Sequence, residues 1–426
     1  MIEGFVGMGM ETVDHNPDVY GGRQDGHAKN RPDSCPNCGD SGMTPIYELR
    51  DVPIHSMILL RDPVEAQAFP TGTIRLAACG TCGFVTNTAF DPALERYGAD
   101  YEASQSFSPT FNTFHERLAE DLVSRHDLAG RSVLEIGCGQ GEFLHILAHH
   151  GANPVYGFDP AYRGPATQVV AGNTVHAVAD FFTEASGTIG ADFVCCKQTL
   201  EHIPDTFDFV HMVRRAIGDR PDTGVFFQVP DFQRIVDEGA FWDVYYEHCS
   251  YFTQPALVRL FEAAGFEVQA SRVEYDGQYL MIEARPTPSP SSDATTPASA
   301  SDQLPDLRGF AERCARQIAA WRTWFDASGA QGLRTALWGG GSKAVAFLTS
   351  IGAHQDVTCA FDVNPRKAGT YLPQSACPVM TPEALDRIRP DQIVVMNPIY
   401  MPEIRDELAH RGHTAELIPV THFAPT

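Results

Sequence analysis

One short run, Ser132-Val-Leu-Glu-Ile-Gly-Cys-Gly-Gln-Gly-Glu-Phe-Leu144, leaves this chain few folds to choose from. Ser132 to Ile136 reads as the end of a buried strand, an apolar run that stops abruptly. Glycines follow at Gly137, Gly139 and Gly141. From Glu142 to His149 the apolar residues Phe143, Leu144, Ile146 and Leu147 gather on one side at helical spacing. A strand, a tight glycine turn and a helix open a nucleotide-binding βα unit. A backbone without Cβ turns sharply and lets a ligand lie against it, and the helix N-terminus behind it presents free N–H groups.

The turn alone also suits a dinucleotide, and two acids tilt the reading. Glu135 stands just before the first glycine, where it can accept a hydrogen bond from an amino acid's ammonium and would repel a pyrophosphate. The second strand, Val155-Tyr-Gly-Phe-Asp159, ends in a carboxylate placed to bind ribose hydroxyls. An amino acid joined to a nucleoside without phosphate is S-adenosylmethionine. That is the expected cofactor, with a dinucleotide enzyme as the rival.

A chain of 426 residues predicts two to three domains, and 43% hydrophobic residues suffice for real cores. The net charge of −23 argues against nucleic acid as partner or substrate. No apolar run reaches membrane-spanning length, so no membrane partner is expected. Residues 1–30 carry no apolar core flanked by basic residues; they read as a loose tail rather than a secretory signal. Eleven cysteines are too sparse for a disulfide scaffold, which fits a cytoplasmic location.

Four of those cysteines form two matched knuckles, Cys35-Pro-Asn-Cys38-Gly39 and Cys79-Gly-Thr-Cys82-Gly83. Four thiolates suit tetrahedral zinc, and a unit as small as residues 31–90 needs such a staple. With all four ligands cysteine, no coordination position is left for chemistry, so the zinc is structural. A redox dithiol is the rival.

Beyond residue 90 the pattern is α/β. A helix is expected over Phe111 to Leu128, preceded by a polar and aromatic stretch containing Tyr97, Tyr101, Ser104 and Ser106. After the strand Val175–Val178, Asp180 and Phe181 suit an adenine, the acid accepting from the exocyclic amine and the ring packing on the base. The strand Ala191–Cys196 ends at Lys197-Gln198-Thr-Leu-Glu201-His202. Ligands of open α/β sheets sit at such carboxyl ends, which places Gln198 at the cofactor and His202 near the reaction; packing of His202 in a helix is the alternative.

After the strand Gly224–Pro230 comes Trp242-Asp-Val-Tyr-Tyr-Glu-His-Cys-Ser-Tyr-Phe252, too rich in polar and titratable groups for a core helix. Lying over the cofactor's methyl group, it offers His248 as a titrating group, Tyr245 as a donor to an oxyanion, and Glu247 to fix a tautomer or a substrate hydroxyl. A polar lid without proton transfer is the rival reading. Strands at Phe266–Val268 and Tyr279–Ala284 close this half. Residues 286–306, rich in Pro, Ser and Ala, read as a linker. A long helix, Leu307 to Ala327, follows, and then a second βα pattern: strand Arg334–Trp338, the turn Gly339-Gly-Gly-Ser-Lys343, a helix, and strands Val357–Asp362 and Gln392–Met396. Lys343 is a candidate counter-charge for a phosphate at that turn; a degenerate fold that only packs is the alternative.

In this order the motifs resemble the three-domain sugar C-methyltransferases of deoxysugar biosynthesis, which act on nucleotide-linked 4-keto-6-deoxy sugars. The residues that carry the resemblance are the four knuckle cysteines, Glu135 to Gly141, Glu201-His-Ile203, Tyr245-Tyr-Glu-His248 with Tyr251-Phe252, Gly339 to Lys343, Asp362-Val-Asn-Pro-Arg-Lys-Ala-Gly369 and Asn397. The chain departs from the family at Leu372-Pro-Gln-Ser375, where a Pro-Gly turn is usual.

The resemblance implies a small N-terminal zinc-binding domain (31–90), a class I methyltransferase domain with a Rossmann-like core (91–285) and a second Rossmann-like domain (307–426). It implies His248 as general base with His202 competing, Tyr245 as enolate stabiliser, and Tyr101 near a further active-site tyrosine. The C-terminal domain, through Lys343 and Asn397, would help hold a nucleotide-linked sugar. An O- or N-methyltransferase of another small molecule and a noncatalytic nucleotide-binding module are the alternatives.

Overall fold

A computed structural model of the chain describes residues 34–95, 100–287, 307–352 and 355–425. The expected tail (1–30), nearly all of the expected linker, and Tyr97 lie outside the described residues.

The first strands are β1 (Met43–Pro53), β2 (Thr71–Cys79) and β3 (Val85–Asn87), an antiparallel meander. The two knuckles bracket it. Gly39 and Gly83 both take the left-handed conformation (φ 75° and 77°), and each N–H reaches back to the carbonyl of the knuckle's first cysteine, at 2.8 and 3.1 Å. A side chain with Cβ would strain that turn, which is why glycine follows each C-x-x-C.

The central sheet is built from β4 (Val133–Ile136), β5 (Val155–Phe158), β6 (Thr167–Val170), β7 (Asn173–Val178), β8 (Phe193–Lys197) and β9 (Gly224–Pro230). After β10 (Ser250–Tyr251), β11 (Phe266–Glu274) and β12 (Tyr279–Pro286) complete it. The strand order is β11-β12-β9-β8-β4-β5-β7-β6. The strands from β9 to β7 run parallel, while β12 and β11 return antiparallel. A mostly parallel sheet closed by an antiparallel hairpin on one flank is the class I methyltransferase arrangement. The order reverses at β4, so a cleft opens at its carboxyl end, beside Glu135 and the glycine turn. The sequence reading missed β6, an antiparallel partner that extends β7 as a hairpin.

Strand β10 belongs to a different sheet. Ser250 pairs with Thr86 and Tyr251 with Val85, so the meander takes its fourth strand from the middle of the methyltransferase segment. The 242–252 segment is therefore no surface lid. Trp242, Tyr246, Glu247, Cys249, Ser250 and Phe252 are all essentially inaccessible to solvent, and the polar-lid reading is corrected to that of an interior wall. Apolar residues around it join one core to which all three parts contribute: Tyr47 and Ile58, then Phe232 and Trp242, then Trp321 and Phe347.

The C-terminal part starts with the helix Phe310–Ala330, which begins after Gly309 rather than at Leu307. Its sheet comprises β13 (Thr335–Trp338), β14 (Val357–Phe361), β15 (Val379–Met380), β16 (Gln392–Val395) and β17 (Glu416–Pro419). All pairs are parallel and the order is β15-β14-β13-β16-β17, a doubly wound sheet as expected. No helix among the described residues is long and apolar enough to cross a membrane.

Candidate active site

The first glycine turn is left-handed at Gly137, Gly139 and Gly141 (φ 72°, 56° and 85°), so each position needs glycine for its backbone alone. Asp159, one residue beyond β5, closes the turn: its carboxylate accepts from the Gly139 N–H at 2.8 Å and the Ala161 N–H at 2.7 Å. Each oxygen keeps acceptor capacity for a ribose hydroxyl. Glu135 is buried and accepts from the Lys197 ammonium at 2.7 Å through Oε1, while its buried Oε2 has no partner. A free acceptor beside the turn fits the ammonium of S-adenosylmethionine, and Asp159 fits its ribose. Asp180 follows β7 and is exposed, its carboxylate turned back to the Phe181 N–H at 2.7 Å. Phe181 is half-buried; the neighbouring Phe182, which the sequence reading passed over, is the buried ring and meets Phe158 edge-on with centroids 5.8 Å apart. Gln198 caps β8 in a left-handed conformation, with its N–H on the Gln228 carbonyl at 2.8 Å.

The second group forms around His248. Its ring lies 4.8 Å from that of His202 and 4.2 Å from that of Tyr245, centroid to centroid. Ligand atoms of Glu201, His202 and His248 fall within 4.8 Å of one another. Burial drives His248 well below the usual imidazole range, and the His202 ring lowers it further. Burial also lowers His202, with the Glu247 charge opposing. Both imidazoles are therefore neutral at neutral pH and able to accept a proton. Burial, with Asp243 and Glu247 adding, holds the Tyr245 phenol far above its ordinary value, so it stays a donor. Tyr101 bridges to Ile58 of the N-terminal part, and its phenol is likewise raised by burial and then by Glu247.

Glu247 does not face His248 as a tautomer clamp would. Its carboxylate is held by the N-terminal part: the Ser56 N–H donates to Oε2 at 2.9 Å, the Ser56 hydroxyl donates to the same oxygen, and His55 Nδ1 stands 3.3 Å from Oε1. The sequence reading missed His55 and Ser56. Nothing local marks them, because they meet Glu247 only through the fold.

Lys343 also departs from expectation. Rather than standing ready for a phosphate, its ammonium is paired with Asp243, which Arg234 grips from the other side at 2.7 Å. Against burial, which alone would raise it, these two cations hold Asp243 down at about 2. Lys343 and Asn397 do line one cleft of about 300 Å³, together with Arg234, Glu238, Trp242 and Gln278. At the second glycine turn Asp362 accepts from the Gly340 N–H at 2.9 Å, repeating the geometry of Asp159, but Lys367 already neutralises it at 3.1 Å. The turn thus carries its own counter-charge, unlike the first.

The four knuckle sulfurs lie within 4.8 Å of one another, with Cys35 to Cys82 and Cys38 to Cys79 each at 3.5 Å. That spacing is too long for a disulfide and close to the edge of a tetrahedron of zinc–sulfur bonds. The Thr81 and Cys82 N–H groups turn toward the Cys79 sulfur at 3.4 and 3.5 Å.

This fold and these paired acids define a methyltransferase that uses S-adenosylmethionine. Residues 111–271 match a methyltransferase domain and residues 295–419 match the C-methyltransferase C-terminal domain. By these matches the chain is similar to methyltransferases in its central part and to C-methyltransferases in its C-terminal part. It is 27% identical over 398 residues to the C-methyltransferase NovU of Streptomyces niveus, covering 88% of this chain and 91% of that one. It is 31% identical over 131 residues to a ubiquinone biosynthesis O-methyltransferase of Neisseria meningitidis, spanning 28% of this chain and 54% of that protein. Among solved structures, a putative S-adenosylmethionine-dependent methyltransferase from Listeria monocytogenes aligns with a TM-score of 0.30 at 15% identity, over 40% of this chain and 99% of that one.

Proposed function

We propose that this methyltransferase methylates a carbon beside the ketone of a nucleotide-linked keto-deoxysugar, by way of an enolate. The observation that carries the reading is the contact of Tyr245 with a buried, uncharged His248, whose ring lies 4.2 Å away. A carbon acid needs both parts: a neutral imidazole nitrogen to take the proton and a phenol to hold the oxygen that becomes negative.

In this reading a ring nitrogen of His248 removes the proton α to the ketone. The Tyr245 phenol donates to the developing enolate oxygen, and Tyr101 borders the same space. His202, stacked edge-on against His248, is the competing proton acceptor. The bound donor supplies an electrophilic methyl carbon; the new C–C bond takes the enolate's electron pair, and the thioether leaves with the pair of the broken C–S bond. Glu135, the glycine turn and Asp159 hold that donor, with Asp180, Phe181 and Gln198 at its edge. Burial of the whole wall excludes water from the enolate.

The mixed-charge cleft at Lys343 and Asn397 is the proposed seat of the nucleotide part. It lies where the methyltransferase and C-terminal parts meet, which suits a long two-ended substrate. We propose zinc for Cys35, Cys38, Cys79 and Cys82. The zinc holds the meander, and the meander carries Ser56 to Glu247. The three-part division at 31–90, 91–285 and 307–426 and a cytoplasmic location belong to the same reading.

The test is a panel of nucleotide-linked keto sugars, scored by mass for one added methyl group. The His248→Asn and Tyr245→Phe variants should each lose about a hundredfold or more in turnover while binding S-adenosylhomocysteine as before. Equal loss of cofactor affinity and rate would instead assign both side chains a structural role.

A further inference from the structure

We propose that Lys197 and Glu135 form a two-point reader for the amino-acid end of the methyl donor, Glu135 taking its ammonium and Lys197 its carboxylate. Glu135 carries the first half of this already; Lys197 is the addition, and it rests on the methyltransferase assignment but not on the enolate.

The geometry begins in the sheet. Glu135 on β4 is paired with Cys195 on β8. Side chains alternate along a strand, so Cys195 and Lys197 share a face, and Lys197 reaches Glu135 diagonally. The two meet at 2.7 Å at the carboxyl end of the sheet, beside the glycine turn. Phe143, in the first turn of the helix that follows the glycines, lies under the ammonium with its ring centre 4.0 Å away. That contact fixes where the lysine stem can point.

The pair is incomplete as it stands. Lys197 has three N–H donors, and Glu135 Oε1 is the one acceptor that meets them among the described residues. Glu135 Oε2 is buried with no donor. Their side chains are 7% and 1% exposed, so water does little to satisfy either. A closed structural salt bridge would use its remaining lone pairs and protons in further bonds, because buried ions left half-satisfied are costly. Here one unused acceptor and two unused donors lie side by side. That is the complement of a zwitterion.

Charge gives the same answer. Glu135 with Lys197 is neutral, and a zwitterion added to it leaves four alternating charges that still sum to zero. Glu135 alone would leave the donor's carboxylate facing a second carboxylate in a poorly solvated site. Without Lys197 the site should therefore prefer a donor that has lost its carboxylate.

The test uses binding, not turnover. Wild-type protein is titrated by calorimetry with S-adenosylhomocysteine, with its decarboxylated analogue, and with methylthioadenosine, which lacks the amino acid altogether. The account predicts that S-adenosylhomocysteine binds about tenfold to a hundredfold tighter than the decarboxylated analogue. In Lys197→Met, which keeps an apolar stem over Phe143, that gap should close or invert, with methylthioadenosine binding within about twofold of wild type. Equal binding of the first two ligands by wild-type protein overturns the proposal without any variant. A preserved gap in Lys197→Met overturns it too, and assigns Lys197 only to neutralising Glu135. A wild-type protein that binds none of the three ligands contradicts the methyltransferase assignment, a separate failure.

Discussion

Ser56 and Glu247 lie 191 positions apart in the chain and meet through two hydrogen bonds, from the Ser56 N–H at 2.9 Å and from its hydroxyl. The Ser56 hydroxyl is also 2.7 Å from that of Ser342, the first residue of the helix after the second glycine turn. The Ser56 hydroxyl thus stands between Glu247 and Ser342, and links a residue from each of the three parts of the molecule. Glu247 adjoins His248, so the joint that links the parts also borders the candidate active site.

Removing the Ser56 hydroxyl should therefore be felt at the active site. Ser56→Ala keeps the backbone donor and should cost about 1 kcal/mol of stability. Glu247→Gln turns an amide N–H₂ toward groups that donate, and should cost more. For both variants, turnover is expected to fall while S-adenosylhomocysteine affinity stays within about twofold of wild type. Thermal melts and cofactor titrations on the same preparations check this.

The pH profile follows from the depressed His248. With His248 as the proposed base, the reactive form is the neutral imidazole, and the histidine protonates only below its lowered value. Activity should stay level down through pH 6.5, the ordinary imidazole midpoint, and fall only at more acid pH. The pH dependence of kcat/KM measures this. An acid limb centred at or above pH 6.5 would mean that a less buried group controls the reaction.

Asp243 between Lys343 and Arg234 is a second long-range joint, the Lys343 bond linking the methyltransferase and C-terminal parts. Asp243→Asn leaves two cations sharing an uncharged partner and should destabilise the protein by about 3 kcal/mol. The carboxylate is held at about 2 against an ordinary 3.8. Its contribution is complete above the ordinary value and is lost as pH falls toward 2. Melting wild type and Asp243→Asn at neutral pH and at acid pH tests both statements: the gap between them should narrow in acid.

Zinc should be measurable at one ion per chain by emission spectroscopy. A strong chelator, or Cys82→Ser, should lower the melting temperature and turnover together, because the meander that loses its staple carries Ser56 and His55. Retained activity in metal-free protein would separate the knuckles from the active site.

What was legible in the sequence was what is local. The two C-x-x-C-G knuckles, the turn from Glu135 to Gly141 and the acid at Asp159 each announce themselves within a few residues, because their geometry is set by neighbours in the chain. The doubly wound C-terminal sheet showed in its βα alternation. The cluster of His202, Tyr245 and His248 was legible as candidates, but their contact depends on two separate strand ends meeting. His55 and Ser56 carried no local signal at all, and Lys197 showed only as the residue at a strand's carboxyl end, with its pairing to Glu135 hidden until the two strands meet. Lys343 was visible as a cation, yet its partner Asp243 lies 100 positions away, and only the packing of the two parts shows the charge already spent. The polarity of the Trp242–Phe252 segment left a polar lid open as a rival reading, because its outside partners, such as Ser56, Arg234 and Lys343, lie far off in the chain.

The most direct test of the central claim is solvent exchange. The protein is incubated in D₂O with a nucleotide-linked 4-keto-6-deoxy sugar and S-adenosylhomocysteine, so that no methyl group can be transferred, and the sugar is read by NMR. The account predicts deuterium at the carbon beside the ketone with wild-type protein, and little or none with His248→Asn. Methyl transfer to a sugar that shows no exchange at carbon, or a methyl group found on oxygen, would contradict it.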